Sequence, residues 1–239
     1  MRYLGGKSRI AKPIAAIIST AAGVRGGDSL ISLFCGSCAV ESKVTGFRRV
    51  VCNDRHEYLI AMLRGVQSGY DLPESVTEDE YKAVRDNKDA DPVLAGFVGF
   101  GCSFGGKWFG GYARDKVGTN HAAQSKKSLL RDMAALSEAE FLCRDYRDVP
   151  IPKNAVVYAD PPYSNTTGYS VGKFDSEEFW KCMRLIAQTG HTVFISEQTA
   201  PDDFVAVWEK PFTRTLDRDK NNQFRVSEKL FTYGGNYGQ

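Results

Sequence analysis

The four residues Asp160-Pro161-Pro162-Tyr163 bring a carboxylate, two rigid backbone units and an aromatic ring to one point of the chain. They follow the apolar run 156–159, so the motif leaves the carboxyl end of a predicted buried strand, where open parallel sheets bind ligands. Each proline fixes its backbone and lacks an N–H donor, which leaves the carbonyls as outward acceptors. A carboxylate beside such a carbonyl can accept both N–H bonds of an amino group, while Tyr163 can stack on a planar base.

A second set of residues has the spacing of a nucleotide-like cofactor site. The segment 34–38, Phe-Cys-Gly-Ser-Cys, follows a predicted strand, and Asp54 closes the next one. Gly36 lets the backbone approach a ligand, and an acid about 20 residues later can accept the hydrogen bonds of a ribose diol. This fits NAD or equally S-adenosylmethionine, although the missing glycines of a pyrophosphate cradle disfavour NAD. An ordinary strand–turn–helix unit remains an alternative.

The N-terminal segment Gly5-Gly6-Lys7-Ser8 resembles part of a phosphate-binding loop. That loop needs a glycine five residues before the second one, and this chain has Met1 there, so ATP binding is rejected. A Gly-Gly turn that places Lys7 at a helix N-terminus can instead bind a carboxylate, such as that of S-adenosylmethionine.

Basic and aromatic side chains are interleaved between residues 102 and 131. Such a stretch suits phosphate neutralisation and base stacking, and its alternatives are a solvated helix face and, for 104–114, a glycine-rich core loop. A second candidate phosphate strip lies near the end of the chain. The first stretch contains Lys107, Trp108, Phe109, Tyr112, Arg114, Lys116, Lys126, Lys127 and Arg131 against one acid, Asp115, and the second contains Arg214, Arg218, Lys220 and Arg225.

The elements that must position these residues alternate between strand and helix, which predicts an α/β fold with a mostly parallel sheet covered on both faces. Residues 69–137 interrupt the alternation, so we expect an inserted, mainly helical subdomain within a catalytic domain of residues 1–68 and 138–239. The predicted strands are 29–34, 49–54, 141–143, 155–160 and 191–196, with a closing antiparallel pair at 212–216 and 228–233. The predicted helices are 8–22, 39–45, 57–67, one opened by a capping box at Thr77, 120–136 and one capped by Asp175 that runs to 188.

Composition and the N-terminal residues argue against membrane, secreted, collagenous and disordered classes of protein. The 239 residues carry a net charge of +2 and a mean hydropathy of −0.34, and no apolar run approaches the ~20 residues of a membrane helix. The N-terminus lacks the apolar core of a signal peptide. Six cysteines sit mostly in apolar runs, where thiols pack as small hydrophobes in a reducing cytoplasm. Cys35 and Cys38 have redox spacing, but no second pair completes a metal site, so packing is the preferred interpretation.

Taken in order, Gly-Gly-Lys at 5–7, Phe-x-Gly at 34–36, Asn53-Asp54 and Asp-Pro-Pro-Tyr at 160–163 resemble the Dam-like, alpha-group DNA adenine methyltransferases. The resemblance implies a Rossmann-like S-adenosylmethionine-dependent methyltransferase sheet with an inserted target-recognition subdomain. It also implies transfer of a methyl group from S-adenosylmethionine to the N6 amino group of an adenine flipped out of double-stranded DNA, with no metal and no membrane, in a prokaryotic or phage-infected cytoplasm.

The resemblance also assigns roles. Lys7 would lie near the cofactor carboxylate, Asp54 would bind the ribose hydroxyls, and Asp145-Tyr146 would contact the cofactor adenine. The implied catalytic residues are Asp160, Pro161, Pro162 and Tyr163. The implied cofactor-binding residues are Tyr3, Gly6, Lys7, Phe34, Gly36, Ser37, Asp54, Asp145, Tyr146 and Asp160. The expected DNA-binding residues are Lys107, Trp108, Tyr112, Arg114, Lys116, Lys126, Lys127, Arg218 and Lys220.

Three other functions stay open at this point. The acceptor could be an RNA adenine or, less favoured, a cytosine amino group. The chain could instead be a catalytically inactive DNA-binding module of the same fold, which the intact Asp160–Tyr163 motif disfavours. An NAD-dependent reductase is the third, and the deficient glycine pattern opposes it. The recognition sequence and the oligomeric state cannot be read from these residues.

Overall fold

The computed structural model describes residues 1–162, 174–215 and 223–234, and within them seven strands form one sheet in the order β3-β2-β1-β4-β5-β7-β6. Strands β1 to β5 are parallel, and β7 runs antiparallel to both β5 and β6. The chain order reverses between β1 and β4, so their carboxyl ends diverge and open a crevice there. The strands are β1 (Ser29–Ser32), β2 (Arg49–Asn53), β3 (Glu140–Leu142), β4 (Val156–Ala159), β5 (Thr192–Glu197), β6 (Phe204–Thr215) and β7 (Gln223–Tyr233).

Helices cover both faces of the sheet, because successive strand residues point to opposite sides. Leu30 packs with α1 on one face, whereas Ile31 packs with α6 on the other. This confirms the predicted Rossmann-like α/β fold, a mostly parallel sheet with helices on both faces. The helices are α1 (Ala11–Thr20), α2 (Glu57–Gln67), α3 (Glu78–Asp86), α4 (Pro92–Gly96), α5 (His121–Ala134) and α6 (Ser176–Gln188).

Helix starts follow the capping residues in the sequence. Thr77 and Glu80 form the predicted capping box of α3, and the side chains of Asn120 and Asp175 accept backbone N–H bonds at the starts of α5 and α6. Each cap satisfies an N–H group that the first helical turn leaves unpaired. Pro13 lies in the first turn of α1, where its missing donor costs no helical hydrogen bond.

The predicted helix 39–45 and the predicted closing strand pair differ in length from the structure. In place of the expected helix 39–45 there is a single 3-10 turn, Glu41–Lys43. Glu41 is buried and accepts a hydrogen bond from Ser32 Oγ at 2.6 Å, and the backbone becomes extended at Val44, so tertiary contacts end the helix. The closing pair is longer than predicted, since β6 and β7 pair from Phe204↔Tyr233 to Thr215↔Gln223.

Residues 69–137, called the insert below, contain α3, α4 and α5. Their buried side chains, among them Tyr81, Phe97 and Leu129, belong to the same hydrophobic cluster as Leu59 and Met62 of α2. A π-helical turn, Phe97–Gly101, continues α4. The insert is therefore packed directly on the sheet's covering helix, and its status as a separate target-recognition subdomain stays a prediction.

Candidate active site at the carboxyl edge of the sheet

One pocket lies over the crevice between β1 and β4, and it gathers side chains from segments far apart in the sequence. Its walls come from the N-terminal segment, the turn after β1, the ends of β2 and β3, the segment after β4, and residues 106–108 of the insert. All ten sequence-predicted cofactor residues line it: Tyr3, Gly6, Lys7, Phe34, Gly36, Ser37, Asp54, Asp145, Tyr146 and Asp160, together with Pro161 and Pro162.

Asp54 is fixed by the turn after β1. Its Oδ2 accepts the N–H of Gly36 at 3.0 Å, and its Oδ1 accepts the N–H of His56 at 3.0 Å. Burial raises the pKa of this carboxyl, while the backbone hydrogen bonds oppose the rise. Each oxygen keeps a lone pair, so a preoriented carboxylate faces the pocket and can accept the two hydroxyls of a ribose.

Gly36 is required by this geometry. Its φ of +49° lies in the left-handed region, and a Cβ added there would stand 3.0 Å from Cε1 of Tyr3. The Tyr3 ring also packs on Phe100, with 5.0 Å between ring centroids, and Leu4 donates a backbone hydrogen bond to Gly106. The N-terminal segment is therefore held between the turn after β1 and the insert.

Lys7, which is buried, and Asp160, which is partly buried, form an ion pair at the end of β4. Lys7 Nζ lies 2.6 Å from Asp160 Oδ1 and 3.9 Å from Glu228 Oε2. Burial raises the pKa of Asp160 to about 6, Lys7 lowers it, and Glu228 raises it. Sequence reasoning had placed Lys7 toward the carboxylate of the cofactor and did not foresee its hydrogen bond to Asp160, which spans 153 positions.

Three further buried acids surround this pair, and the sequence analysis missed all of them. Glu41 lies in the pocket wall, and burial raises its pKa to about 7. Glu197 at the end of β5 likewise has its pKa raised by burial to about 7, and Glu228 is buried on β7. A signal was available: an isolated Glu at the end of an apolar strand, as at Glu197, predicts a carboxylate at the ligand-binding edge.

At the opposite end of the pocket an aromatic wall follows β3. Tyr146 packs on Phe34 at 5.2 Å between ring centroids, and the guanidinium of Arg147 lies 5.7 Å from the Tyr146 ring. Asp145 Oδ1 accepts bonds from the Arg147 backbone N–H at 3.1 Å and from its Nε at 2.7 Å. A flat apolar surface beside a fixed carboxylate suits a purine that carries an amino group.

The structure describes three of the four residues of the predicted amino-group clamp, Asp160 to Pro162. Asp160 and the following prolines lie at the mouth of the β1–β4 crevice, where Pro161 is buried and Pro162 half-buried. Tyr163, the expected stacking residue, lies outside the described residues.

The two predicted DNA-binding aromatics, Trp108 and Tyr112, both pack against the protein core. Trp108 packs against His56 at 4.4 Å between ring centroids, and the Tyr112 hydroxyl donates to the Val76 carbonyl at 2.6 Å. Phe104 in the same loop is instead 71% exposed. Most rings of the segment 104–114 thus pack inward, in agreement with the core-loop alternative, and one faces solvent. DNA binding by this segment stays a prediction.

The predicted basic residues also divide. Arg114 pairs with Glu78 at 2.8 Å, and Lys126 pairs with Glu74 at 2.7 Å and Asp71 at 3.2 Å. Lys107 lines the pocket. Arg114 is exposed despite its ion pair, and the exposed members of this set with no ion pair to a described residue are Lys107, Lys116 and Lys127. Arg218 and Lys220, and the side chains of Arg214 and Arg225, lie outside the described part.

The cysteines are free thiols, and Cys35 and Cys38 are buried. Burial raises the pKa of the Cys35 thiol, which leaves it protonated and unreactive at neutral pH. Among the described residues no group of three or more His, Cys, Asp or Glu side chains could hold a metal ion, and no helix is long and apolar enough to cross a membrane.

Comparison with known proteins finds one family that matches part of the chain. The D12 class N6 adenine-specific DNA methyltransferase family matches residues 3–91, which hold the Gly-Gly-Lys, Phe-x-Gly and Asn-Asp motifs. The match confirms the resemblance drawn from those motifs, and Asp160-Pro161-Pro162-Tyr163 lies outside the matched span. No curated protein matches the chain.

Solved structures of low sequence identity overlay most of the chain. An rRNA methyltransferase of Streptomyces viridochromogenes is 14% identical with a TM-score of 0.42, covering 95% of this chain and 86% of its own. A precorrin 8W decarboxylase of Methanobacterium thermoautotrophicum is 11% identical with a TM-score of 0.39, covering 93% and 89%. At these values neither likeness bears on the substrate.

Proposed function

We propose that this chain methylates the N6 amino group of adenine at specific sites in double-stranded DNA, with S-adenosylmethionine as the methyl donor. Residues 3–91 match the D12 class N6 adenine-specific DNA methyltransferase family. The observation that carries the proposal is the position of Asp160. Its carboxylate stands at the mouth of the β1–β4 crevice, in the same pocket as Asp54 and Tyr146. An amine acceptor and a nucleoside-binding surface thus share one cavity.

The pocket residues fit S-adenosylmethionine. Asp54 would hold the ribose hydroxyls, and Tyr146 with Asp145 would contact the adenine. Gly36 and Ser37, with Phe34, would line the ribose and methionine parts, and Tyr3, Gly6 and Lys7 would border the methionine end. When bound, S-adenosylmethionine supplies an electrophilic methyl group, whose bond to sulfur breaks with both electrons left on sulfur as the new bond to nitrogen forms.

The chain's own residues would prepare the acceptor. Asp160 and the Pro161 carbonyl would accept the two N–H bonds of the adenine amino group and direct its lone pair toward the methyl. Lys7 stabilises the ionised form of Asp160, which can therefore take the proton that the methylated nitrogen releases. Orientation of the two reactants in one pocket contributes about 7–11 kcal/mol to the lowering of the barrier.

We assign the DNA surface to the exposed part of the insert. Lys107 borders the pocket, and Phe104 lies three residues away with most of its ring in solvent. Lys116 and Lys127 are exposed cations of the same region. Contacts to phosphates position a protein on DNA, so these lysines would set orientation while Tyr163 and Pro162 hold the extruded base. Arg218 and Lys220 remain candidate contacts from the sequence alone.

Methyl transfer from labelled S-adenosylmethionine tests the proposal. The purified chain is incubated with adenine-containing duplex DNA, with the same sequence as RNA, and with duplex lacking adenine. We expect label in the first sample, recovered as N6-methyladenine by mass spectrometry. Label on RNA alone would replace the DNA assignment, and no transfer to any acceptor would overturn the function. Modification-sensitive sequencing of DNA from expressing cells would then give the recognition site.

A further inference from the structure

The ammonium of Lys7 lies between two carboxylates that come from different parts of the fold. Nζ is 2.6 Å from Asp160 Oδ1 and 3.9 Å from Glu228 Oε2, and the three side chains are 6%, 18% and 10% exposed. Asp160 follows β4, whereas Glu228 belongs to β7, on the far side of β5. One buried cation is therefore shared by a partly buried carboxylate, Asp160, and a buried one, Glu228, at the carboxyl edge of the sheet.

This arrangement bears on how Asp160 could receive a target amine. Its Oδ1 already accepts the short hydrogen bond from Lys7. An amine can use the remaining lone pairs of this carboxylate, but it then shares the carboxylate's negative charge with Lys7. An ammonium that moves away from Asp160 in a buried site needs another acceptor. Glu228 offers one within 4 Å of the same nitrogen.

We propose that Glu228 is a positioning residue, which takes a larger share of the Lys7 ammonium when the target amino group binds and so frees Asp160 to hold it. The inference rests on the proposed function, because it concerns the same amine-binding carboxylate. It adds a residue of β7 to a site that the sequence motifs place on β1, β2 and β4 and in the N-terminal segment.

The other charged neighbours of Asp160 are less suited to this role. Glu41 accepts the hydroxyl of Ser32 at 2.6 Å, and Glu197 accepts the backbone N–H of Gln198 at 2.6 Å. Tyr158 donates to or accepts from Ser196 at 3.0 Å. Among the described acids, Asp160 and Glu228 are the two within 4.0 Å of Lys7 Nζ.

Glu228→Gln removes the charge and keeps the shape. Without the Glu228 charge beside Lys7, we expect kcat to fall about tenfold, a barrier increase of ~1.4 kcal/mol, with KM for S-adenosylmethionine unchanged within about twofold. Glu228→Asp should recover most of the loss. The matched control is Glu209→Gln on β6, an exposed carboxylate 3.9 Å from Lys229, which should leave kcat at the wild-type value.

A double-mutant cycle with Lys7→Met decides whether Glu228 acts through Lys7. If it does, Glu228→Gln has no further effect once Lys7 is gone. The same tenfold loss in the Lys7→Met background, or full activity of Glu228→Gln alone, overturns the inference. Thermal melting of each variant shows whether it is folded.

A pH profile gives a second measurement in case Lys7→Met falls below detection. Asp160 faces Lys7, Glu41, Tyr158, Glu197 and Glu228, and loss of the Glu228 charge lowers its pKa, so the acid limb of kcat should move to lower pH in Glu228→Gln. An unmoved limb contradicts the inference. Absence of methyl transfer by the wild-type chain would instead contradict the proposed function itself.

Discussion

The pocket and the insert hold their polar side chains in different ways. In the pocket, Asp54 is fixed by backbone N–H groups at strand ends, and Asp160 by one buried lysine. In the insert, Arg114 and Lys126 are fixed by acids of the same region, at or near the surface. The first arrangement leaves lone pairs directed into a cavity, whereas the second uses up the charge within the protein. We therefore expect the exposed lysines with no ion pair to a described residue to contact a polyanion more readily than the paired cations do.

The largest expected effect comes from Asp160, on which the chemical step depends. Asp160→Ala removes the acceptor of the target N–H and of its proton, so turnover should fall by about 10²–10⁴-fold. Cofactor affinity, measured by calorimetry, should change little, because Asp54 and the aromatic wall remain. A variant that still turns over at the wild-type rate would remove Asp160 from the mechanism.

Asp54 should show the opposite pattern, in which binding is lost before chemistry. Asp54→Asn exchanges a carboxylate that accepts two backbone N–H bonds for an amide, and hydrogen bonds to a charged group are worth about 1.5–3 kcal/mol. We expect the Kd for S-adenosylmethionine to rise by roughly 10- to 150-fold. With cofactor at saturation, kcat should stay near wild type, and a fall in kcat without weaker binding would contradict the ribose assignment.

The pocket residues could be predicted from the sequence better than their contacts with one another. The residues that line the pocket lie at strand ends, and a strand followed by a glycine turn or an acid is a local pattern, so Gly36, Asp54 and Asp160 were predicted. Their mutual contacts are not predicted. Lys7 is predicted as a cofactor residue, but its bond to Asp160 joins segments 153 positions apart. Glu228 comes near this pair because β4, β5 and β7 are neighbours in the sheet, and no local pattern encodes that order.

The insert shows a second property that the sequence does not predict, namely which basic side chains are paired with acids. Its basic residues were counted from the sequence, but their availability depends on which acids fold against them. Lys126 and Lys127 are adjacent in the chain, yet their places on α5 differ: one reaches Asp71 and Glu74, and the other is exposed. Likewise, the structure has one 3-10 turn where the sequence predicts a helix over 39–45. The hydrogen bond between buried Glu41 and Ser32 cannot be predicted from the spacing of apolar residues.

The acidity of the pocket predicts a pH dependence. Asp160 must be ionised to accept the N–H bond, and its pKa is raised to about 6, so kcat should fall about tenfold per pH unit below that value and level off above it. Burial raises the pKa of Glu41 to about 7, so Glu41 is mostly protonated near pH 6, and Glu41→Gln should leave this limb nearly unmoved. A profile flat down to pH 5 would refute the assignment.

The smallest expected effect distinguishes the two lysines of α5, which serve as each other's control. If Lys127 contacts a phosphate, Lys127→Ala should reduce the slope of log K against log salt for DNA binding by about 0.9, the value for one released counterion. Lys126→Ala should leave the slope unchanged, because its ammonium is bonded to Asp71, Glu74 and the Leu72 carbonyl. Equal slopes for wild type and Lys127→Ala would remove this face of α5 from the DNA footprint. A reduced slope for Lys126→Ala would show that Asp71 and Glu74 release Lys126 to the DNA. The proposed difference between the pocket, where charges are held in place, and the insert would then not hold.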